Sequence, residues 1–230
     1  MVARGKYIVI EGGDGTGKST QVKLLRERLK EEGIDSIEFH EPGGLPITDN
    51  IRKVILNAEL QRDPVTNLLL FTAARHELWK SARQKLEEGV WIVASRNYFS
   101  TLVYQGYGEG IDLQLIHDTT LQFTDELYVQ PDLAVILTLE DQAERERRIG
   151  KRGQLATPDT FESKNDSFQQ VVQEGYKQLA HDYKLPLLSA QRTIDAITDE
   201  IFSLVKDIEK VPLTLRTGRS DYSTNLETVK

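Results

Sequence analysis

Short apolar runs alternate along this chain with longer amphipathic stretches, and the two follow different periods. Tyr7 to Glu11 is a brief apolar run that ends in glycines, which predicts a buried strand entering a tight turn. From Ser19 to Glu32, Val22, Leu25 and Leu29 recur at helical spacing and Gly33 follows as a stop. Ile37 to His40 predicts a second strand, and Glu41-Pro42-Gly43-Gly44 is a turn by composition. Thr48 to Leu60 reads as a helix. Pro64 suits the first turn of a long helix that runs to Glu88, with Gly89 ending it. Val90 to Ala94 is the third strand, and Phe99 to Tyr104 and Asp112 to Thr124 predict helices. Leu133 to Leu139 is nearly continuous in apolar residues, which suits a strand covered on both faces. A charged helix from Glu140 to Ile149, a polar stretch from Gly150 to Thr160 and a helix from Phe161 to Tyr183 follow. Leu185 to Leu188 is the last strand, and a helix runs on to Lys210.

Strands alternating with helices predict the α/β class, a parallel sheet wrapped by helices. No break in composition and no internal repeat divides the chain, so residues 1–210 read as one domain. Residues 211–230 are polar and aperiodic, the pattern of a flexible tail.

Composition narrows the chemistry. The 230 residues are 39% hydrophobic and 28% charged, ordinary for a globular protein. A formal net charge of -7 argues against nucleic acid as a partner. The absence of cysteine excludes disulfides, thiolate metal sites and cysteine nucleophiles. The four histidines are scattered, without zinc-ligand spacing. The N-terminal apolar run is too short for a signal peptide or a membrane span, so a cytoplasmic location with no membrane partner is expected.

Gly12-Gly13-Asp14-Gly15-Thr16-Gly17-Lys18-Ser19, followed by Thr20, fits G-x-x-x-x-G-K-[ST] between a strand and a helix. The glycines let successive N–H groups turn inward onto phosphate, and the helix adds its positive end. Lys18 reaches the β- and γ-phosphates, and Ser19 offers a hydroxyl to magnesium. ATP binding is therefore expected. A phosphate loop alone does not choose among kinase, GTPase and motor ATPase. No Asn-Lys-x-Asp motif for guanine is present. A small-molecule kinase needs a second phosphate grip and a basic lid. Arg96 and the run Arg145, Arg147, Arg148, Lys151, Arg152 are candidates for these.

Several segments in order resemble the thymidylate kinase family. They are YIVIEGGDGTGKSTQ, EPGG at Glu41 to Gly44, LLLFTAARHE at Leu68 to Glu77, SRNYFSTLVYQG from Ser95, PDLAVILTLE and RGQLATPDTFE. The resemblance covers about residues 6 to 205. It implies the P-loop kinase fold, with a five-stranded parallel sheet and a short basic lid near 149–160. It also implies phosphorylation of dTMP by ATP with Mg2+, and a homodimer. It assigns Phe71 to stacking on thymine, where a core residue is the plain alternative. It assigns Arg75 to the base carbonyl, against a solvated helix charge, and Asp14 to the sugar 3′-hydroxyl, against a turn residue. Arg96 would grip the acceptor phosphate, since a guanidinium fork pairs with two oxygens; a structural ion pair is the alternative. Glu41, Ser100, Thr101, Tyr104 and Gln105 would line the nucleoside pocket, with Tyr104 crowding the 2′ position or simply packing.

The family supplies a catalytic arginine from the phosphate loop or from the lid. Gly15 occupies the loop position here, so Arg152, then Arg148, are the candidates, while Arg145 and Arg147 read as solvated helix charges. Three positions depart from the family pattern: Ser95 replaces a strand-end aspartate, Asn97 an aromatic and His40 an arginine. A neutral serine is a poorer metal partner, so Glu41, Glu11 or water is expected to support the metal instead. Two other readings stay open: a kinase for another deoxynucleoside monophosphate or deoxynucleoside, and a catalytically impaired nucleotide-binding protein.

Overall fold

A computed structural model describes residues 3–151, 160–161 and 163–210. In chain order the elements are β1 (Tyr7–Gly12), α1 (Lys18–Glu31), β2 (Ser36–His40), α2 (Pro46–Leu56) and α3 (Pro64–Glu87). Then come β3 (Trp91–Ser95) and α4 (Tyr98–Thr101), which runs directly into a π-helical segment, Leu102–Gly108. α5 (Leu113–Phe123), α6 (Glu126–Val129), β4 (Leu133–Thr138), α7 (Gln142–Lys151), α8 (Asp166–Asp182), β5 (Leu187–Ser189) and α9 (Ile194–Lys210) complete the set.

The five strands are all parallel, in the order β2-β3-β1-β4-β5. β1 therefore has β3 on one side and β4 on the other, although neither follows it directly in sequence. Such a reversal of strand order leaves a crevice beyond the carboxyl ends of the strands. The alternation of side chains along β1 divides the core in two. Tyr7 and Val9 join Ile92, Ala94, Ala134 and Ile136 under α3, α4 and α8. Ile8 and Ile10 join Val93, Val135 and Leu137 under α1 and α9.

Some boundaries differ from the sequence pattern, for local reasons. α2 stops at Leu56 rather than Leu60, because the Arg62 guanidinium collects the carbonyls of Ile55, Asn57 and Leu60 and ties them into a turn. α8 begins at Asp166 rather than Phe161, because the Asn165 side chain caps it by accepting from Phe168 N at 3.0 Å. β3 extends to Ser95, which pairs in register with Ile10 and His40. β5 is Leu187–Ser189, set by pairing of Leu187 with Ile136. No helix among the described residues is long and apolar enough to cross a membrane. Residues 211–230 and most of the expected lid, 152–159, lie outside the described residues.

Candidate active site

β1 ends in the phosphate loop, and the loop needs its glycines. Gly12 has φ 139°, and a Cβ there would stand 2.2 Å from the Leu137 carbonyl oxygen. Gly17 is left-handed, with φ 88°, immediately before α1 begins at Lys18. Thr16 Oγ1 donates to Gly13 O at 2.9 Å, and Lys18 Nζ donates to the same oxygen at 2.8 Å. The ammonium is thus folded back over the loop that the phosphates would occupy. Ser19 and Thr20 are exposed in the first turn of α1.

Beside the loop lies an open cleft with the mixed apolar and polar lining of a small-ligand site. Asp14, Glu41, Phe71, Arg75, Arg96, Ser100, Thr101, Tyr104 and Gln105 all line it. The fold brings them from five separate places: the phosphate loop, the turn after β2, the middle of α3, the turn after β3, and the α4–π segment. The wider spacing of the π-helix lies at a functional segment here, as is common for such segments.

Arg75 is 2% exposed, so it is not a solvated helix charge. Its Nε donates to Glu41 Oε2 at 2.8 Å and its Nη2 donates to Thr101 Oγ1 at 2.7 Å. Its Nη1 is buried without a partner. Tyr128 of α6 donates to the other Glu41 oxygen at 2.5 Å. Burial pushes the Glu41 carboxyl up, with Arg75 and Tyr128 opposing. Gln105 Oε1 is likewise buried and without a partner. Phe71 is half-buried on the cleft wall, 6.0 Å from the ring of Phe161.

Arg96 has φ 74°, a left-handed backbone that costs a residue with a Cβ on the order of 1 kcal/mol or more. The following backbone is pinned by Glu11. Glu11 Oε1 accepts from Asn97 N at 2.8 Å and from Ser100 N at 3.1 Å. Arg96 Nη2 donates to Asp14 Oδ1 at 2.6 Å, and Nη1 donates to Ser100 Oγ at 2.9 Å and Tyr176 OH at 3.1 Å. Burial alone lowers the Arg96 guanidinium, but Asp14 and other neighbours raise it well above its usual value, so it stays charged. Asp14 Oδ2 accepts from Tyr104 OH at 3.2 Å.

Glu11 and Glu41, the carboxylates expected to support the metal, are both engaged within the protein. Glu11 shares the pleat side of Tyr7 and Val9, whereas Ser95 is in register with Ile10 on the opposite side. Both Glu11 oxygens already accept, from Asn97, Ser100, Gly12 and Tyr176. Both Glu41 oxygens are taken by Arg75 and Tyr128. No cluster of three His, Cys, Asp or Glu occurs among the described residues.

Near the lid, Arg152 lies outside the described residues. Arg148 donates to Glu144 at 2.7 Å and to Ala190 O at 3.1 Å. Arg147 is exposed and pairs with Glu144, whose carboxyl Arg147 and Arg148 hold down to about 2. Arg145 is not solvated as expected. A Cβ on Gly15 would meet its Cγ at 3.0 Å, its Nη2 donates to Gln169 at 2.9 Å, and its Nε is buried without a partner.

The sequence reading missed Tyr176, Tyr128, Phe161 and Arg52. The first two lie among apolar neighbours, where an aromatic reads as core. Arg52 donates to Pro42 O at 2.7 Å on the cleft wall, and its helical position gave no sign of that.

The family model for thymidylate kinase matches residues 10–201. A thymidylate kinase of Caldanaerobacter subterraneus subsp. tengcongensis is 33% identical over 210 residues, covering 90% of this chain and 98% of the relative. One from Halothermothrix orenii is 37% identical over 207 residues, covering 88% and 97%. One from Carboxydothermus hydrogenoformans is 36% identical over 199 residues, covering 86% and 95%.

Proposed function

This chain belongs to the thymidylate kinase family and is a nucleoside monophosphate kinase that phosphorylates dTMP with ATP; we propose the following roles for its residues. The readings as another deoxynucleotide or deoxynucleoside kinase, or as an impaired binding protein, are not favoured. The observation that supports the base assignment is that Arg75 and Gln105, each with one polar side-chain atom lacking a protein partner, line the cleft with Phe71. Arg75 Nη1 is a buried donor and Gln105 Oε1 a buried acceptor, each without a partner. A thymine edge offers the complement, a carbonyl oxygen beside an N–H. A cytosine edge offers the reverse and would leave both protein atoms unsatisfied. Phe71 stacks on the ring. Glu41 acts through Arg75, whose guanidinium it fixes. Ser100, Thr101 and Tyr104 close the pocket around the sugar, and Asp14 accepts the 3′-hydroxyl.

An oxygen of the acceptor phosphate attacks the γ-phosphorus of ATP as the bond to the β-phosphate oxygen breaks. The anionic acceptor oxygen needs no base, so positioning and charge carry the catalysis. Arg96 holds the acceptor phosphate. Gly12 to Thr20 cradle the donor phosphates, with Lys18 on the β- and γ-groups. Arg148 and Arg152 are the lid candidates. Magnesium fits as a nucleotide-borne ion held by the exposed Ser19 hydroxyl, phosphate oxygens and water, the sparse protein coordination usual for Mg2+. When bound it neutralises phosphate charge.

Residues 1–210 act as one kinase domain with a lid near 149–160. A homodimer fits the exposed Val65 and Leu69 on α3 and Leu115 and Phe123 on the neighbouring α5. The cytoplasm, where ATP is held, fits the activity. A coupled ADP-release assay across dTMP, dUMP, dCMP, dGMP and thymidine tests the substrate assignment. Best turnover is expected on dTMP, and best turnover on any other acceptor would overturn it.

A further inference from the structure

Tyr176 lies on α8, the helix that follows the lid segment, and is 1% exposed. It does not line the acceptor cleft, but it does line a separate pocket beside the phosphate loop with Gly13, Asp14 and Thr16. Its hydroxyl nevertheless stands among the groups that hold Arg96. It donates to Glu11 Oε2 at 3.1 Å, accepts from Arg96 Nη1 at 3.1 Å, and lies 3.0 Å from Ser100 Oγ. Ser100 Oγ completes the ring by reaching Glu11 Oε2 at 2.8 Å and receiving Arg96 Nη1 at 2.9 Å. Two neutral hydroxyls thus bridge a buried carboxylate to a half-buried guanidinium. The phenol is held in its neutral donor form, because burial and then Glu11 push its ionisation well up.

We propose that Tyr176, together with Glu11, is a positioning residue that orients Arg96 toward the acceptor phosphate without touching substrate. Three features support this. The backbone of Arg96 is left-handed, so the direction of its side chain is not set by the regular end of β3. Glu11 fixes the turn after it through Asn97 N and Ser100 N. One guanidinium nitrogen goes to Asp14 of the phosphate loop and the other to the Ser100–Tyr176 pair, which fixes the plane of the fork between them. A ring that merely filled space would have no use for a hydroxyl aimed at three polar groups. Because Tyr176 is on α8, it also links the helix after the lid to the acceptor side of the site.

The inference rests on the reading that Arg96 grips the acceptor phosphate, so the experiment separates the two. Initial rates of the full chain are measured for Tyr176→Phe, Arg96→Lys and the double variant, with dTMP and ATP varied in turn. Tyr176→Phe is expected to lower kcat/KM for dTMP about tenfold, the scale of one hydrogen bond to a charged group, and to leave KM for ATP unchanged. In the Arg96→Lys background the same change is expected to add less than about twofold, because its effect runs through the guanidinium. Wild-type kinetics for Tyr176→Phe, equal loss for both substrates, or additive losses in the double variant would each overturn the proposal. Unchanged dTMP kinetics in Arg96→Lys would overturn the premise itself, and the proposal with it. If Tyr176→Phe does not fold, Glu11→Gln asks the same question from the other end of the bridge, with the same expected loss confined to dTMP.

Discussion

The two faces of the central sheet are built from the same strands and serve different ends. On the α1 and α9 face, Ile8, Ile10, Val22, Leu25, Val135, Leu137 and Ile201 make a core that is almost wholly aliphatic. On the α3 and α8 face aliphatic residues are interleaved with many aromatic rings, among them Tyr7, Trp79, Tyr98, Phe99, Tyr104, Tyr128 and Tyr176. That face also carries the buried charges Glu11, Glu41 and Arg75. A buried charge costs several kcal/mol unless it is paired, so a fold bred only for stability would make both faces alike. The aromatic rings suit the polar face because each couples apolar bulk to a polar tip. Tyr128 and Tyr176 spend those tips on Glu41 and Glu11. The aliphatic face holds the strands together, and the other holds two arginines at fixed directions.

The comparison breaks if the faces are interchangeable under mutation. Arg96→Ala on the polar face is expected to lower kcat/KM for dTMP by about a hundredfold to a thousandfold, as for loss of one preorganised charge-stabilising donor. Its thermal midpoint should shift little, because the lost ion pair with Asp14 is partly exposed. Leu25→Ala on the aliphatic face, fully buried in the native state, is expected to cost about 3 kcal/mol of stability. Its kinetics at a temperature where it remains folded should match the parent. Paired denaturant melts and initial rates check both. A stability loss for Arg96→Ala as large as for Leu25→Ala would remove the distinction.

Much of this division was legible in the sequence, and some of it was not. The strands of the sheet, the phosphate loop and the arginine at a strand tip follow from apolar runs, glycine spacing and one charge. Whether a given buried aromatic is core or site did not follow. Tyr98 and Tyr176 look alike as tyrosines, and only tertiary packing puts one beside His117 and Tyr128 and the other beside Glu11 and Arg96. Arg145 and Arg147 show the same limit in a charged helix. They are two residues apart, so they point in different directions, and one packs on Gly15 while the other meets solvent. That Glu11 and Ser95 lie on opposite pleat sides was not legible either, because pleat side depends on inter-strand register.

Within the polar face, Gln105 sharpens the comparison by separating recognition from support. Its Oε1 has no protein partner, so removing it breaks only the weak bond from Nε2 to Glu109 Oε2 at 3.3 Å. Arg75 cannot be tested so cleanly, since its loss leaves Glu41 without its cation. Gln105→Ala is expected to raise KM for dTMP about tenfold, the scale of one hydrogen bond in a buried site, with little change in stability. The preference for dTMP over dCMP should narrow in the same assay. An unchanged preference would show that the thymine edge is read elsewhere.

The smallest expected effect tests the boundary between the faces. Ser95 is 7% exposed and shares the pleat side of Ile10, the side on which α1 packs and on which Ser19 opens the helix. A carboxylate at 95 would therefore face the region where the nucleotide's magnesium is expected, which Glu11, on the opposite pleat side, does not. Ser95→Asp should lower the Mg2+ concentration for half-maximal rate by a few-fold, since Mg2+ is bound through one or two carboxylates with the phosphates. It should leave kcat/KM for dTMP nearly unchanged, because the contacts that hold Arg96 come from the other face and the phosphate loop. A magnesium titration of the two proteins at fixed ATP and dTMP decides this. Coincident titration curves would show that position 95 has no part in holding the metal. A large loss on dTMP would instead show that the tip of β3 is shared between the two faces.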